Sequence, residues 1–319
     1  MSTLLRLLGR RIAVLPFMLL GVTILVFLVL QVAPGDPATF VLGPDASEDA
    51  KNAWREARGL NDPLIIQFFH YVARLVTLNF GVTNPPEEPV GIRIAAAFPV
   101  TLQLTLLGVL IAVVISLVLG ILGALYRDKW PDQLIRVFSI AAIATPSFWL
   151  GILLIQWFAL PKGSLFPVGG MAWAEQYGFV GWAYSMALPA VALGLPVAAS
   201  LIRVVRTSMV EELDKDYVRT AIGNGVPYRT VVAKNVLRNA LVTPVTVLGL
   251  RVGYLLGGAI VIERIFDLKG MGGLIINGLN GKDVNLVAGG VITIAATFVL
   301  VNIVVDVLYL LINPRIRTV

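Results

Sequence analysis

The 319-residue chain is 57% hydrophobic and only 14% charged, with a mean hydropathy of +0.85. A soluble domain carries about 25% charged residues, so this balance places the chain in lipid rather than water. It has no cysteine, which excludes disulfides and thiolate chemistry, and one histidine, His70, which argues against a histidine-built metal site.

A helix needs about 20 apolar residues to cross the hydrocarbon. Six segments qualify, 12–32, 99–125, 137–160, 185–202, 240–262 and 286–312. They predict an all-α, polytopic membrane protein with six transmembrane helices, organised as a single domain over 1–319. With the first segment starting inside, the inner stretches hold 15 Lys and Arg against 9 in the outer ones, and 6 acidic residues against 12. The positive-inside rule then predicts that both termini are cytoplasmic. The net charge of +6 is a topology signal, not a nucleic-acid footprint.

The first span follows Arg10 and Arg11 but stays apolar for about 20 residues without a small-residue cleavage pattern. It therefore reads as a retained helix, not a signal peptide. Residues 33–98 are too polar to cross and form an extracytoplasmic segment. Pro34-Gly35-Asp36-Pro37 is a turn that stops the first helix. Ser47 before Glu48 and Asp49 starts a short helix that ends at Gly59. Asp62-Pro63 starts another, whose apolar residues Leu64, Ile65, Phe68, Tyr71, Val72 and Leu75 predict an amphipathic helix on the outer surface. Pro85, Pro86 and Pro89 return the chain to the membrane. A lid or docking role and a plain folded connector both fit this segment.

Residues 161–184 carry Trp173, Tyr177, Trp182 and Tyr184, the composition of an interfacial aromatic belt. Pro146, Pro189, Pro196 and Pro244 fall inside or near spans, where neighbouring helices can satisfy the carbonyls they free. Residues 203–239 form a long cytoplasmic loop. Glu211, Glu212, Asp214 and Asp216 are read as the acidic front of a helix. That helix continues through Tyr217 to Ile222 and breaks at Gly223-Asn224-Gly225 and Pro227. A second helical run covers Tyr228 to Leu237. The arrangement predicts a rigid knob offered to a soluble partner; a basic helix resting on anionic lipid is the plain alternative.

Arg251 lies eleven residues into the fifth span, about 16 Å deep. A charge at that depth must face protein or water, because insertion there costs at least about 2.5 kcal/mol. Two readings stand: a passage-lining cation that attracts a carboxylate, or an arginine bonded to helix-end carbonyls or to a polar residue such as Asn302. Glu263 with Lys269, Gly270, Gly272 and Gly273 reads either as an external gate or as an ordinary glycine-rich loop. Asp306 is expected to pair with an arginine of the N-terminus or of a loop, in preference to acting in a proton relay. His70 reads as a surface residue. Gly281-Lys282 lacks the upstream glycine and the following hydroxyl residue of a phosphate-binding loop, so no nucleotide site is read here.

Ordered fragments along the whole chain carry a resemblance. They are Arg10-Arg11, Pro34-Gly35-Asp36-Pro37, Thr145-Pro146-Ser147-Phe148-Trp149, Leu188-Pro189 with Leu193-Gly194, and Arg206-Thr207-Ser208-Met209. Further on come Asp216-Tyr217-Val218-Arg219-Thr220-Ala221 with Gly225, then Leu237-Arg238-Asn239-Ala240, Glu263 with Phe266, Gly270 and Gly272, and Asn313-Pro314-Arg315. Together they resemble the permeases of ABC importers, in the dipeptide, oligopeptide and nickel family, first-permease type. The general coupling motif begins Glu-Ala-Ala where this chain has Arg219-Thr220-Ala221, and its terminal proline is missing near Arg238. The peptide branch is similar to this chain at both positions.

The resemblance implies the type I importer architecture in a prokaryotic cell membrane. It implies a second, similar permease, two ATP-binding subunits that hold ATP and magnesium, and an external solute-binding protein that delivers the cargo. This chain would itself be non-catalytic and bind no cofactor or metal. Residues Asp216, Tyr217, Val218, Arg219, Thr220, Ala221 and Gly225 would couple to an ATPase, and Arg251, Glu263 and Asn302 are passage candidates. The implied cargo is a dipeptide or oligopeptide, with nickel, another small chelate or a haem-like molecule as alternatives. A secondary carrier would favour inverted repeats and acidic midplane residues, and an intramembrane enzyme would need an assembled acid, nucleophile or metal set. Neither pattern is read here.

Overall fold

The computed structural model describes residues 2–32, 35–164, 166–172 and 174–312. The described residues form helices and connecting loops, with one isolated β-bridge between Val82 and Pro89. In chain order the helices are α1 (Ser2–Val32), α2 (Pro37–Leu42), α3 (Glu48–Ala57), α4 (Leu64–Val76), α5 (Val90–Leu125), α6 (Trp130–Ala144) and α7 (Ser147–Leu154). Then come α8 (Ala174–Leu213), α9 (Asp216–Gly223), α10 (Tyr228–Thr230), α11 (Leu237–Ala240), α12 (Val242–Ile265), α13 (Met271–Asn280) and α14 (Val284–Ile312). Pro34, Trp173 and the Asn313-Pro314-Arg315 motif lie outside the described residues, as do the side chains of Arg10, Arg11, Tyr177 and Asp306.

Among the described residues, four helices are long and apolar enough to cross a membrane: Val90–Leu125, Gly178–Leu213, Val242–Ile265 and Val284–Val305. A fifth crossing exists only as a bent pair. The segment expected as one span over 137–160 is instead α6 and α7, turned by 102° at Thr145-Pro146. Proline disfavours helical geometry at the residue before it, and Thr145 is accordingly extended (φ −86°, ψ 116°). α1 is 31 residues long, and among the described residues its apolar stretch covers Ala13–Val29. Of the six expected spans, four are long apolar helices among the described residues and a fifth is the bent pair. The fourth predicted span is also longer than 185–202, because α8 continues through the basic residues Arg203 and Arg206 to Leu213.

The chain divides into two compact units. One unit comprises residues 102–268 and 300–319 with the first five. Its centre is α8, whose span is 67% buried while the other three are 28–33% buried. Glycines let its neighbours approach closely. A Cβ on Gly194 of α8 would lie 2.5 Å from the Gly108 carbonyl of α5, and one on Gly249 of α12 would lie 2.1 Å from Val305 of α14. Small residues at such crossings are the usual means of packing helices in lipid.

The second unit comprises residues 6–101 and 269–299. Ser47 caps α3 by accepting from Ala50 N–H, and the chain turns at Gly59 (φ +66°), both as the sequence predicts. The turn predicted at 34–37 ends in a helix not foreseen, α2, with Asp36 accepting from Ala38 and Thr39 N–H groups and Pro37 in the first turn. In α4, Tyr71 and Leu75 pack with Val22, Val26, Phe27 and Ala288, while Leu64, Ile65 and Phe69 are exposed. The glycines expected in a gate loop belong largely to α13: Gly270 precedes it, and Gly272 is buried within it.

Candidate functional site

Asp216 and Arg219 project from α9 into solvent, whereas Val218, on the same short helix, is 3% exposed. That division follows from helical spacing: Tyr217, Val218 and Ala221 share one face, and Arg219, Thr220 and Ile222 the other. Val218 packs in a cluster with Ala124, Val205, Met209, Val231, Val236 and Ala240, which draws α9 onto α5, α8 and the run from α10 to α11. Gly225 closes the helix. Its φ of +82° lets its N–H donate to the Ile222 carbonyl and the Val226 N–H to the Ala221 carbonyl, a Schellman closure.

The acidic cluster is divided differently from the expectation. Glu211 and Glu212 belong to the last turn of α8 and Asp214 to the linker after it, so only Asp216 stands in the first turn of α9. The reason is that α8 continues beyond the apolar stretch at 185–202 as far as Leu213. Glu212 is nearly buried and accepts from the Tyr217 hydroxyl at 3.0 Å, with Lys215 also paired to it. Asn239 donates to the same tyrosine oxygen at 3.5 Å. Burial pushes the Tyr217 hydroxyl above its ordinary pKa, so it remains a neutral donor. Between Thr230 and Leu237, residues Val231–Val236 adopt π-helical geometry, a wider turn found often at functional positions.

Between α8 and α6 sits a charged clamp that the sequence did not single out. Arg206 of α8 holds Asp132 of α6 through two 2.6 Å bonds, from Nε to Oδ1 and from Nη2 to Oδ2. The Asp128 N–H donates to the same carboxylate at 3.0 Å, and Arg136 lies 3.4 Å away. Asp132 is fully buried. Arg127 donates to Asp214 at 2.8 Å, a second tie from the α5–α6 turn to the end of α8. These partners are 74 and 87 residues apart, a separation that leaves no local signal.

Along α12, Thr243, Thr246, Leu250, Arg251, Tyr254, Gly257, Val261 and Arg264 form one exposed stripe at helical spacing. Arg251 stands on this stripe with no hydrogen bond or ion pair among the described residues. It is not bonded to Asn302, a half-buried residue of α14 that has its own partner. Glu263 departs from the expected loop position. It lies inside α12, is fully buried and is engaged within the protein. The structure therefore puts Arg251 on the open face and the other two candidates off it. In the predicted aromatic belt, Trp182 donates to Gln103 at 2.8 Å, and Tyr184 meets Phe166 edge-on at 5.5 Å.

Residues 112–318 match the family described as binding-protein-dependent transport system inner membrane component, and residues 4–105 match its N-terminal membrane component. The chain is 39% identical over 296 residues to the glutathione transport system permease protein GsiC of Escherichia coli, covering 93% of this chain and 94% of that one. The Shigella dysenteriae protein of the same name is equally similar, and that of Salmonella typhimurium is 38% identical over 310 residues, covering 97% and 98%. With matches to both parts of the family along nearly its full length, the chain belongs to the binding-protein-dependent transport permeases, the non-catalytic membrane subunits of ABC importers.

Proposed function

We propose that the chain is one half of the passage of an ATP-driven importer of dipeptides or oligopeptides. The passage is completed by a second, similar permease, powered by two ATP-binding subunits and loaded by an external solute-binding protein. The observation that carries this reading is the two-sided build of α9. Its outer face, with Asp216, Arg219, Thr220 and Ile222, is exposed, while Val218 and Tyr217 anchor its inner face to α8. A push on α9 reaches α8, and the Arg206–Asp132 clamp passes it to α6 of the bent pair. Asp216, Arg219, Thr220 and the Gly225 turn would seat in a groove of one ATPase. The segment 203–239 and both termini then face the cytoplasm, residues 33–98 face outward, and α1 completes six crossings as part of one permease domain.

The exposed stripe of α12 would line the passage, with Arg251 supplying a cation where water is scarce. It would attract a peptide carboxylate and repel a bare metal cation. The glutathione named for the relatives is a peptide with free carboxylates, which agrees with that charge. The test is reconstitution of the four membrane and ATPase subunits in liposomes with the external receptor. Labelled peptide should accumulate only with ATP and receptor present. Accumulation that follows a proton gradient without ATP would replace this reading with a secondary carrier.

A further inference from the structure

Within residues 6–101 and 269–299, a cavity of about 1290 Å³ opens beside α4. Its walls are of mixed chemistry: Trp54 and Phe27 contribute apolar surface, and ionised side chains of both signs stand among them. Most of those charges are already satisfied. Arg55 is bonded to Asp36 at 2.7 Å and Arg58 to Glu87 at 2.7 Å, with Arg58 also stacked on Trp54. Asp283 has no ion pair but accepts from the Asn84 and Leu286 N–H groups, whereas the side chains of Arg74 and Asp62 have neither an ion pair nor a hydrogen bond among the described residues.

Arg74 shares a corner of the cavity with Tyr71, Asn79 and Asn285. Tyr71 is 8% exposed, yet its hydroxyl has no hydrogen-bond partner among the described residues. An orphan buried hydroxyl is costly in a folded protein. The amide oxygen of Asn79 accepts from Gly81 N–H, which leaves its NH2 group as a further donor. A guanidinium, a phenol and an amide at one corner form a donor set matched to a carboxylate. Asp62 stands twelve residues earlier, just before α4 begins, on the order of 15–20 Å away at helical rise. An extended peptide of about five residues spans that distance.

We propose that this cavity binds an extended zwitterionic oligopeptide along α4, with its C-terminal carboxylate on Arg74 and Tyr71 and its N-terminal ammonium at Asp62. The site rests on the importer reading and narrows its cargo class: it favours oligopeptides over dipeptides. It gives the permease a peptide site of its own outside the α12 stripe.

The experiment uses the assembled importer in lipid nanodiscs without the external receptor. Equilibrium dialysis measures binding of labelled penta-alanine, di-alanine, and penta-alanine blocked as its C-terminal amide or N-acetyl form. Penta-alanine should bind about tenfold tighter than di-alanine, and each block should weaken it about tenfold, as expected for loss of a charge-assisted contact. Arg74→Gln should weaken the free peptide by a similar factor and leave the amide unaffected. Tyr71→Phe, which removes only the orphan hydroxyl, should weaken it about fivefold. Equal binding of free and amidated peptide, or binding that appears only after receptor is added, would overturn the proposal. ATP-driven uptake by the same wild-type complex with receptor is measured in parallel. Its absence would remove the importer reading, whereas uptake without peptide binding at the cavity would remove only this site.

Discussion

The two units each contain a two-bond carboxylate–guanidinium pair, and the pairs differ in what surrounds them. Asp132 and Arg206 join two apolar helices, with side chains 0% and 18% exposed. Asp36 and Arg55 join the two short helices α2 and α3, 31% and 23% exposed. Asp36 also accepts from two backbone N–H groups, so it keeps partners if the arginine is lost. Asp132 has one backbone donor and relies on its arginines. The same chemistry is thus a structural necessity in one unit and a local fastener in the other.

The largest effect is expected from breaking the buried pair. Arg206→Met leaves Asp132 buried against a single, more distant arginine and should cost about 3 kcal/mol, read as a lower denaturation midpoint of the purified complex. The double change Arg206→Met with Asp132→Leu should recover most of that stability but not ATP-driven uptake. Recovered uptake would mean that apolar packing alone transmits the motion. Next in size, Val218→Ala removes buried methyl groups from the coupling cluster and should cost about 1–2 kcal/mol. Its uptake should fall while the permease pair still assembles, as seen by size-exclusion chromatography.

Arg251→Ala tests the open face rather than the clamp. Peptide uptake should fall about tenfold, the size expected for one charged contact, with assembly and ATPase binding retained; unchanged uptake would remove Arg251 from the passage. The smallest effect is expected at the Asp36–Arg55 pair. The Arg55 guanidinium holds the Asp36 carboxyl well below the usual carboxylate range, so protonation opposes folding of that segment. The contribution is complete above about pH 5 and fades as pH falls through the ordinary value of about 4 and below it. Hydrogen exchange in α2 and α3 should therefore accelerate in acid, and Asp36→Asn should flatten that dependence.

What the sequence revealed follows the range of the interactions involved. Ser47, Gly59 and Gly225 act within one helical turn, and each marks its boundary where the sequence predicts it. Asp36-Pro37 carried the same kind of signal, a cap followed by a first-turn proline, and was read only as a turn. The third span was misread because apolar content reports depth in lipid and not direction; Pro146 was visible, but a 102° bend depends on what α6 and α7 pack against. The acidic cluster was assigned to the wrong helix because α8 continues to Leu213, beyond the apolar stretch at 185–202. The Asp132–Arg206 clamp and the cavity beside α4 join residues far apart in the chain, and no local pattern foretells them.

The most direct measurement concerns the outward face of α9. Arg219→Glu with Ile222→Asp alters only exposed side chains and leaves Val218 and Tyr217 in place. In the reconstituted importer, this double variant should retain a folded permease pair while ATP-driven peptide uptake falls to background. Uptake at the wild-type rate would contradict the account, because force from the ATPases would then be entering the chain somewhere other than α9.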